Sequence, residues 1–275
     1  MMYKKSISTV LYHVLAILLG VIAIVPFLWM ISTSLKSSGA LLVIPIEWIP
    51  KEPTLSAYKK LFALTGIVRS IGNSLVVSFG AVFVALLSSS MAAFAFSKIH
   101  FRGSGYLFMI FIASMMLPSH VIFIPLYLIM NDLHLVDTLF ALILPYTFKA
   151  FAVFMLRQQM MGIPDAYLDA AAIDGASLFR SFFTIFLPLC KTALATLAII
   201  IAMDAWNDYL MPLVLMTSTK NYTLPIILNA LSGQFKTAYD LLMAGSLISV
   251  IPLLIIYITA QRYFASGFLV GGVKG

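Results

Sequence analysis

The chain has 275 residues, of which 62% are hydrophobic and only 10% are charged, with a mean hydropathy of +1.04. A soluble domain carries about 25% charged residues, so this composition excludes a water-soluble globular domain and a disordered chain. The formal net charge is +7, and in so apolar a chain a basic excess indicates loops on an anionic membrane face rather than nucleic-acid binding.

Six apolar segments are long enough to cross the hydrocarbon core as helices, which takes about 20 mostly apolar residues each. They predict an all-α integral membrane protein with six transmembrane helices. The whole chain, 1–275, is interpreted as a single transmembrane domain with a core over 70–263. The predicted spans are 10–34, 74–97, 104–130, 139–155, 192–213 and 241–263.

The distribution of basic residues predicts that both termini lie in the cytoplasm. Six spans place the termini on one side, and that side carries nine basic residues against seven on the other: Lys4, Lys5, Lys98, Arg102, Arg157, Arg180, Lys191, Arg262 and Lys274. The short loop 131–138 on the other side has no lysine or arginine. The long loop 35–72 there is also basic, but most of its charges lie far from the span ends or near Glu47 and Glu52.

The second span carries a row of small residues that predicts close helix packing. Such residues let helix backbones approach each other in lipid, either inside the chain's own bundle or against a partner subunit. The row consists of Ser78, Gly80, Ala81, Ala85, Ser88, Ser89, Ala92 and Ala93.

The loop 162–188, between the fourth and fifth spans, predicts a helix–turn–helix. Pro164 and Asp165 suit the first turn of a helix, and Gly175 is placed to end that helix in a left-handed conformation. Ser177 can cap a second helix, and Pro188 predicts a kink or an end. The second helix has an aromatic stripe with i, i+3, i+4 and i+7 spacing: Phe179, Phe182, Phe183 and Phe186.

This loop resembles the "EAA" loop of bacterial ABC importer permeases. The matching residues are Asp169-Ala-Ala-Ala-Ile-Asp-Gly-Ala176 and Ile185-Phe-Leu-Pro188, against a family pattern of Glu-Ala-Ala, three residues, Gly, and then Ile-x-Leu-Pro. Asp169 stands where the family has Glu, whose side chain is one methylene longer. The resemblance implies a cytoplasmic coupling helix that inserts into an ATPase subunit, with Asp169, Ala170, Ala171, Asp174, Gly175, Ala176 and Pro188 as its coupling residues.

Stretches along nearly the whole chain resemble the carbohydrate branch of that family, similar to the maltose-type inner permease. They are residues 26–36, Asn73-Ser74, Pro125-Leu-Tyr127, residues 205–213, Tyr222-Thr-Leu-Pro225, Gln261-Arg-Tyr-Phe264 and the tail 271–275. The resemblance implies a multi-pass protein of the bacterial plasma (inner) membrane. Its implied partners are a second related permease forming a heterodimer, two ABC ATPase subunits, an extracytoplasmic solute-binding protein and a sugar.

The remaining chemistry predicts neither an enzyme nor a metal or cofactor site. The chain has no Gly-Lys dipeptide, so a phosphate-binding P-loop is absent, and it has no His-Glu-x-x-His. The four histidines are scattered along the chain and make no metal-binding pair. No catalytic residue is therefore proposed, and ATP hydrolysis is expected in the partner subunits.

Polar residues inside the spans are candidates for a translocation pathway. Lys149 is a cation well inside a predicted span and Asp204 is the clearest anion; each should face the bundle or lie near a span edge, since a central charge costs about 2.5–3.5 kcal/mol. Aromatic rings beside amides and carboxylates suit sugars, although a membrane-interface aromatic belt has the same composition. The candidate pathway or substrate-lining residues are Asn73, Tyr127, Lys149, Trp206, Asn207 and Tyr209.

These patterns together favour the transmembrane permease subunit of an ABC importer for a sugar or oligosaccharide. An ABC permease for an amino acid or peptide is the nearest alternative. An ion-coupled secondary transporter would need more intramembrane ionisable residues than Lys149 and Asp204. An intramembrane enzyme would need paired catalytic residues at one depth, and none is evident.

Overall fold

The computed structural model describes residues 2–37, 47–64, 66–233 and 238–269, and the regular elements in those ranges are all helices. The all-α prediction is therefore confirmed. The tail 271–275, which contributed to the family resemblance, lies outside the described residues.

Fourteen α-helices follow one another in the described ranges, with shorter helical turns between some of them. The α-helices are α1 (Met2–Ser34), α2 (Ser56–Ala63), α3 (Ile67–Lys98), α4 (Ser104–Ala113), α5 (Phe123–Asp132), α6 (Leu139–Ile143), α7 (Ala150–Met161), α8 (Ala166–Ile173), α9 (Leu178–Ser181), α10 (Leu187–Leu189), α11 (Lys191–Asn207), α12 (Leu210–Leu215), α13 (Leu224–Ala230) and α14 (Tyr239–Leu269). The turns are 3₁₀ at Ser114–Met116, Ser119–Ile122, Leu144–Phe148 and Thr219–Asn221, and π-helical at Phe182–Phe186.

Three helical segments are long and apolar enough to cross a membrane unbroken: Thr9–Ser34, Ile67–Lys98 and Tyr239–Thr259. They correspond to the first, second and sixth predicted spans. The other three predicted spans correspond to bent helix pairs: Ser104–Met116 with His120–Asp132, Leu139–Phe148 with Ala150–Met161, and Leu178–Leu189 with Lys191–Asn207.

Prolines lie close to these breaks, at Pro118, Pro145 and Pro188. A proline lacks the backbone N–H of the helical ladder, and its ring clashes with the preceding turn. The bends are 41° in the second pair and 79° in the third. The predicted kink near Pro188 is thus confirmed, with the π-helical turn directly before α10 and the break at Cys190.

The residues group into two compact units. The first comprises Met1–Ile67 and Ile227–Pro252. Within it, the Ser34 hydroxyl at the end of α1 hydrogen-bonds the Tyr58 hydroxyl of α2 at 2.9 Å. Trp29 and Trp48 pack edge to face with ring centroids 5.2 Å apart, so both contacts hold α1 against the segment that follows it.

The second unit comprises Val68–Ile226 and Leu253–Gly275, and α3 packs in its core. Ala81, Ala85 and Ala93 of α3 have no exposed surface. A Cβ at Gly80 would lie 2.6 Å from Cδ1 of Ile143, so glycine is what allows α6 to approach α3 this closely. The row of small residues therefore packs inside the chain's own bundle, the first of the two predicted alternatives.

Asp137 joins the loop 131–138 to the segment that follows α12. Its carboxylate accepts hydrogen bonds from the N–H groups of Thr217 and Ser218, each at 3.0 Å, and from the Ser218 hydroxyl at 2.6 Å. The Asn221 amide donates to the Asp137 carbonyl oxygen. Partial burial opposes ionisation, but the hydrogen bonds from Ser218, Thr217 and Asn221 outweigh it and lower the pKa of Asp137 to about 2.

This lowered pKa predicts a pH-dependent contribution to stability. A depressed carboxyl pKa stabilises the folded state above the ordinary value of 3.8, and the contribution is lost as pH falls toward 2. Asp137→Asn should therefore lower the thermal unfolding temperature in detergent near neutral pH, and the difference from wild type should shrink below about pH 4. Asp132→Asn, at an exposed position nearby, is the matched control. An equal destabilisation at neutral and acidic pH would contradict the prediction.

Candidate functional site

The helix–turn–helix predicted over 162–188 is present: α8 ends at Ile173, and Gly175 makes the left-handed turn that was expected there. Gly175 has φ +75°, in the left-handed region. The Ala176 N–H donates to the Ala171 carbonyl at 2.8 Å, and the Gly175 N–H donates to the Ala172 carbonyl at 3.0 Å. These two bonds form a Schellman motif, which satisfies the last carbonyls of the helix. The Ser177 hydroxyl accepts from the Arg180 N–H at 3.2 Å, so the predicted cap of the second helix is also confirmed.

The structure divides α8 into an inward and an outward face. Ala171 is only 5% exposed and lies inward, together with the half-buried Leu168. Ala170 is exposed and Ile173 is 87% exposed. Ala171 was expected to contact the ATPase, but its methyl group is covered by this chain itself. The remaining surface of the loop is formed by Asp169, Ala170, Ala172, Ile173, Asp174 and Gly175, all exposed.

Half of the aromatic stripe fixes the loop to α3. Phe182 and Phe186 are buried, and their ring centroids lie 5.4 Å and 5.1 Å from that of Phe94 in α3. Phe179 and Phe183 remain exposed, at 63% and 37%. The loop is therefore held by two of the four phenylalanines.

A buried lysine, predicted from the sequence only as a basic residue of a cytoplasmic loop, ties the start of α8 to the end of α3. The Lys98 side chain is 3% exposed, and its Nζ lies 2.5 Å from Oδ1 of Asp165. The same Nζ donates to the carbonyl oxygen of Ile163 at 2.6 Å. Asp165 makes this ion pair instead of a side-chain hydrogen bond to the first turn of α8. The hydrogen bond and the charge of Lys98 lower the pKa of Asp165 below its usual range.

Lys149 and Asp204 were predicted as separate intramembrane charges, and the structure pairs them. Lys149 occupies the break between the Leu144–Phe148 turn and α7, and its Nζ lies 2.7 Å from Oδ2 of Asp204 in α11. The side chains keep 36% and 56% of their surfaces exposed. The Lys149 ammonium also lies 4.3 Å from the ring centroid of Tyr146. An open notch of about 500 Å³ adjoins the pair, lined by Met203, Asp204, Asn207, Asp208, Tyr209 and Leu210.

The other candidate pathway residues lie in different surroundings. Trp206 is 3% exposed, so its ring offers no face for stacking on a sugar. The Asn73 amide donates to the carbonyl oxygens of Lys220 and Tyr222 at 3.0 Å and 2.9 Å, which joins the start of α3 to the loop before α13. Tyr127 lies on α5 and is 36% exposed. Asn207 and Tyr209 line the notch beside Asp204.

Comparison with known proteins gives one consistent result. Residues 85–270 match the family described as "Binding-protein-dependent transport system inner membrane component". The arabinooligosaccharides transport system permease protein AraQ of Halalkalibacterium halodurans is 37% identical over 278 residues, which cover 99% of this chain and 100% of that protein. AraQ of Bacillus subtilis is 34% identical and covers 94% of this chain and 93% of its own length.

Among solved structures, one that matches is the crystal structure of a bacterial ABC transporter involved in the import of the acidic polysaccharide alginate. The TM-score is 0.84 at 25% sequence identity, over 95% of this chain and 98% of that one. The similarity thus extends over nearly the full length of both the sequence and the fold.

The Lys149–Asp204 pair predicts a non-additive response to mutation. Lys149→Met or Asp204→Leu alone leaves one charge without its partner, and each should destabilise the protein in detergent by about 1–2 kcal/mol, less than for a fully buried pair. The double variant removes both charges and should be more stable than at least one of the single variants. Thermal unfolding of the purified proteins measures this, with the exposed Asp132→Asn as a control. If the losses of stability in the two single variants simply add up in the double variant, the pairing of Lys149 with Asp204 is contradicted.

Proposed function

The chain belongs to the family of inner membrane components of binding-protein-dependent transport systems, and we propose that it imports a sugar or oligosaccharide as the permease subunit of an ABC transporter. It is a multi-pass protein of the bacterial inner membrane. The observation that carries the proposal is the 37% identity over 99% of the chain with an arabinooligosaccharides permease. Membership of this family also disfavours the ion-coupled transporter and the intramembrane enzyme considered from the sequence.

We propose that the exposed surface of the loop 162–188 binds an ATPase subunit. Ala170 and Ile173 present apolar surface to solvent on α8, and Asp169 and Asp174 flank them with carboxylates. An exposed apolar patch with a polar rim is typical of a protein–protein contact. Gly175 and the short side chain of Ala170 allow a partner to approach the backbone closely. Asp169 keeps the charge of the family's Glu, with a shorter reach.

The full transporter is proposed to contain a second, related permease, two ATPase subunits and an extracytoplasmic solute-binding protein. The first two bent helix pairs and α11 of the third pair would each cross the membrane, which together with the three unbroken helices gives six spans with both termini in the cytoplasm. ATP binding would close the ATPase dimer, draw the two coupling loops together and shift the permeases toward an outward-open state. This chain supplies no catalytic group. It contributes a membrane domain with two conformations, and the docked ATPase shifts the equilibrium between them.

The notch beside Lys149 and Asp204 is proposed to line the translocation pathway. Lys149 lies about 18 Å along α7 from its end at Met161, and Asp204 about 20 Å along α11 from Lys191, at 1.5 Å per residue. Both charges would therefore lie well away from the cytoplasmic ends of these helices, Asp204 in the last turn of α11, and they remain partly exposed in this subunit. Such charges are not tolerated against lipid, so this surface faces the second permease or a water-filled pathway. The pair is neutral and Asp208 adds a carboxylate, which favours an uncharged saccharide over an anionic one.

A tryptophan on the outward face of α8 tests the ATPase contact. Ala170→Trp should leave the membrane-inserted fold intact but hold the ATPase away, weakening its binding by about tenfold or more, a loss of about 1.4 kcal/mol. The measurement is the amount of ATPase that co-purifies with the permease. Ala63→Trp, at the exposed end of α2, is the matched control. Ala171→Trp is unsuitable, because the buried position would disrupt the chain's own packing.

Gly175→Val gives a second, independent variant for the same contact. A β-branched residue strongly disfavours the φ of +75° that ends α8, so the turn and the docking surface should be displaced. Normal ATPase binding and sugar uptake by both Ala170→Trp and Gly175→Val would contradict the assignment of the coupling loop.

Cysteine labelling tests the orientation. The buried Cys190 is first replaced by alanine, and single cysteines are then placed at two exposed positions, Lys59 in α2 and Arg102 between α3 and α4. In sealed cells a membrane-impermeant maleimide should label the Lys59→Cys site and not the Arg102→Cys site. Arg102→Cys should react only after the membrane is permeabilised. Labelling of Arg102→Cys from outside would overturn the proposed topology.

A further inference from the structure

We infer that Lys98 is a positioning residue that clamps the coupling loop to α3, so that α3 carries a displacement of the loop to the helix break at Lys149. The inference rests on the proposed binding of the ATPase to this loop. The connection consists of two side-chain contacts, made by Ser88 and Lys98, at opposite ends of one segment of α3.

The first contact lies at the C-terminal end of α3. The Lys98 ammonium reaches both sides of Pro164, since it binds the carbonyl of Ile163 and the carboxylate of Asp165. It also lies 5.5 Å from the ring centroid of Phe186 in the second helix of the loop. The buried Lys98 ammonium therefore contacts Ile163 and Asp165, just before α8, and Phe186, in the helix after the turn. The loop cannot move away from α3 without uncovering or unpairing this charge.

The two partners of this ion pair differ greatly in burial. The Lys98 side chain is 3% exposed whereas that of Asp165 is 68% exposed, so the ammonium depends on these oxygens far more than the carboxylate depends on the ammonium. An ammonium left buried without its counter-charge is strongly unfavourable. Loss of Asp165 alone should therefore be worse than loss of both members of the pair, which a generic surface ion pair would not show.

The second contact lies ten residues earlier on α3, near the Lys149–Asp204 pair. The Ser88 Oγ lies 2.7 Å from the Thr147 carbonyl oxygen, two residues before Lys149, and 2.7 Å from the Val84 carbonyl oxygen of its own helix, so its one proton is shared between these two acceptors. Ser88 and Lys98 are ten residues apart on the same unbroken helix, which corresponds to about 15 Å. The helical segment between them also contains Phe94, which packs on Phe182 and Phe186. A shift of the coupling loop thus reaches the Thr147 carbonyl through a single rigid element.

The test uses the complete transporter, co-purified with its partner permease and ATPase and reconstituted in nanodiscs. In a Cys190→Ala background, Asn207→Cys places a reporter in the notch beside Asp204. Its labelling rate by a fluorescent maleimide is measured with and without ATP plus vanadate, so no sugar needs to be known. With Lys98 and Ser88 intact, we expect the nucleotide to change the rate by about fivefold or more, the lower end of typical allosteric coupling.

Lys98→Met and Ser88→Ala should each reduce this change to less than about twofold while the ATPase stays bound. Matched controls are Lys191→Met, an exposed lysine at the start of α11, and Ser90→Ala, a buried serine whose hydroxyl bonds only within α3. Both controls should keep the full response. Asp165→Asn should retain less ATPase than the Lys98→Met/Asp165→Asn double variant, and Asp165→Glu should behave as wild type.

The outcomes separate the two proposals. Failure of the ATPase to co-purify with the unmodified chain would overturn the proposed function itself. If the ATPase binds, a full nucleotide response in both Lys98→Met and Ser88→Ala would overturn the clamp, and so would the absence of any response in the reporter protein with Lys98 and Ser88 intact. Equal ATPase retention by Asp165→Asn and the double variant would show that the buried charge does not govern the position of the loop.

Discussion

The burial of one ammonium group fixes the position of the loop 162–188 against α3. Lys98 ends the long helix α3 in surroundings that leave 3% of its side chain exposed. Removing an ammonium from water costs several kcal/mol unless oxygen atoms replace the lost solvent. The carbonyl of Ile163 and the carboxylate of Asp165 supply those oxygens, so the start of α8 is fixed in position. The aromatic contacts of Phe94 with Phe182 and Phe186 then fix the helix after the turn. The other side of the loop, with Ala170 and Ile173, stays exposed.

The same requirement, that polar groups be satisfied away from water, explains the interior of the bundle. Where the extended residue Lys149 breaks the fourth span, the carbonyls just before it lose their helical donors, and away from water each needs another partner. The Ser88 hydroxyl provides one for Thr147. The break also lets Lys149 reach Asp204 on a different helix. The bend in the fourth predicted span therefore creates a polar site between apolar helices.

The two polar centres lie on one structural unit and share α3 as a neighbour. Close packing of Gly80 against Ile143 and full burial of Ala81 and Ala85 bring α3 into contact with the bent fourth span. A closely packed interface transmits displacement instead of absorbing it. The small residues of α3 thus place a continuous helix between the loop 162–188 and the charged notch.

The sequence by itself determined the features that depend on local backbone chemistry and on composition. Apolar length predicted the helical membrane class, and the left-handed turn at Gly175, the cap at Ser177 and the kink near Pro188 follow from the properties of those residues. The EAA pattern identified the family. Only the tertiary structure decided which side chains meet: Lys98 with Asp165, 67 residues away, and Lys149 with Asp204, 55 residues away. It also decided that Ala171 and Trp206 face inward while Ala170 and Asn207 face outward. The reason is that such pairings depend on the rotation of each helix about its axis and on the bend angles between helices. Both are set by packing among distant segments, which no local pattern encodes.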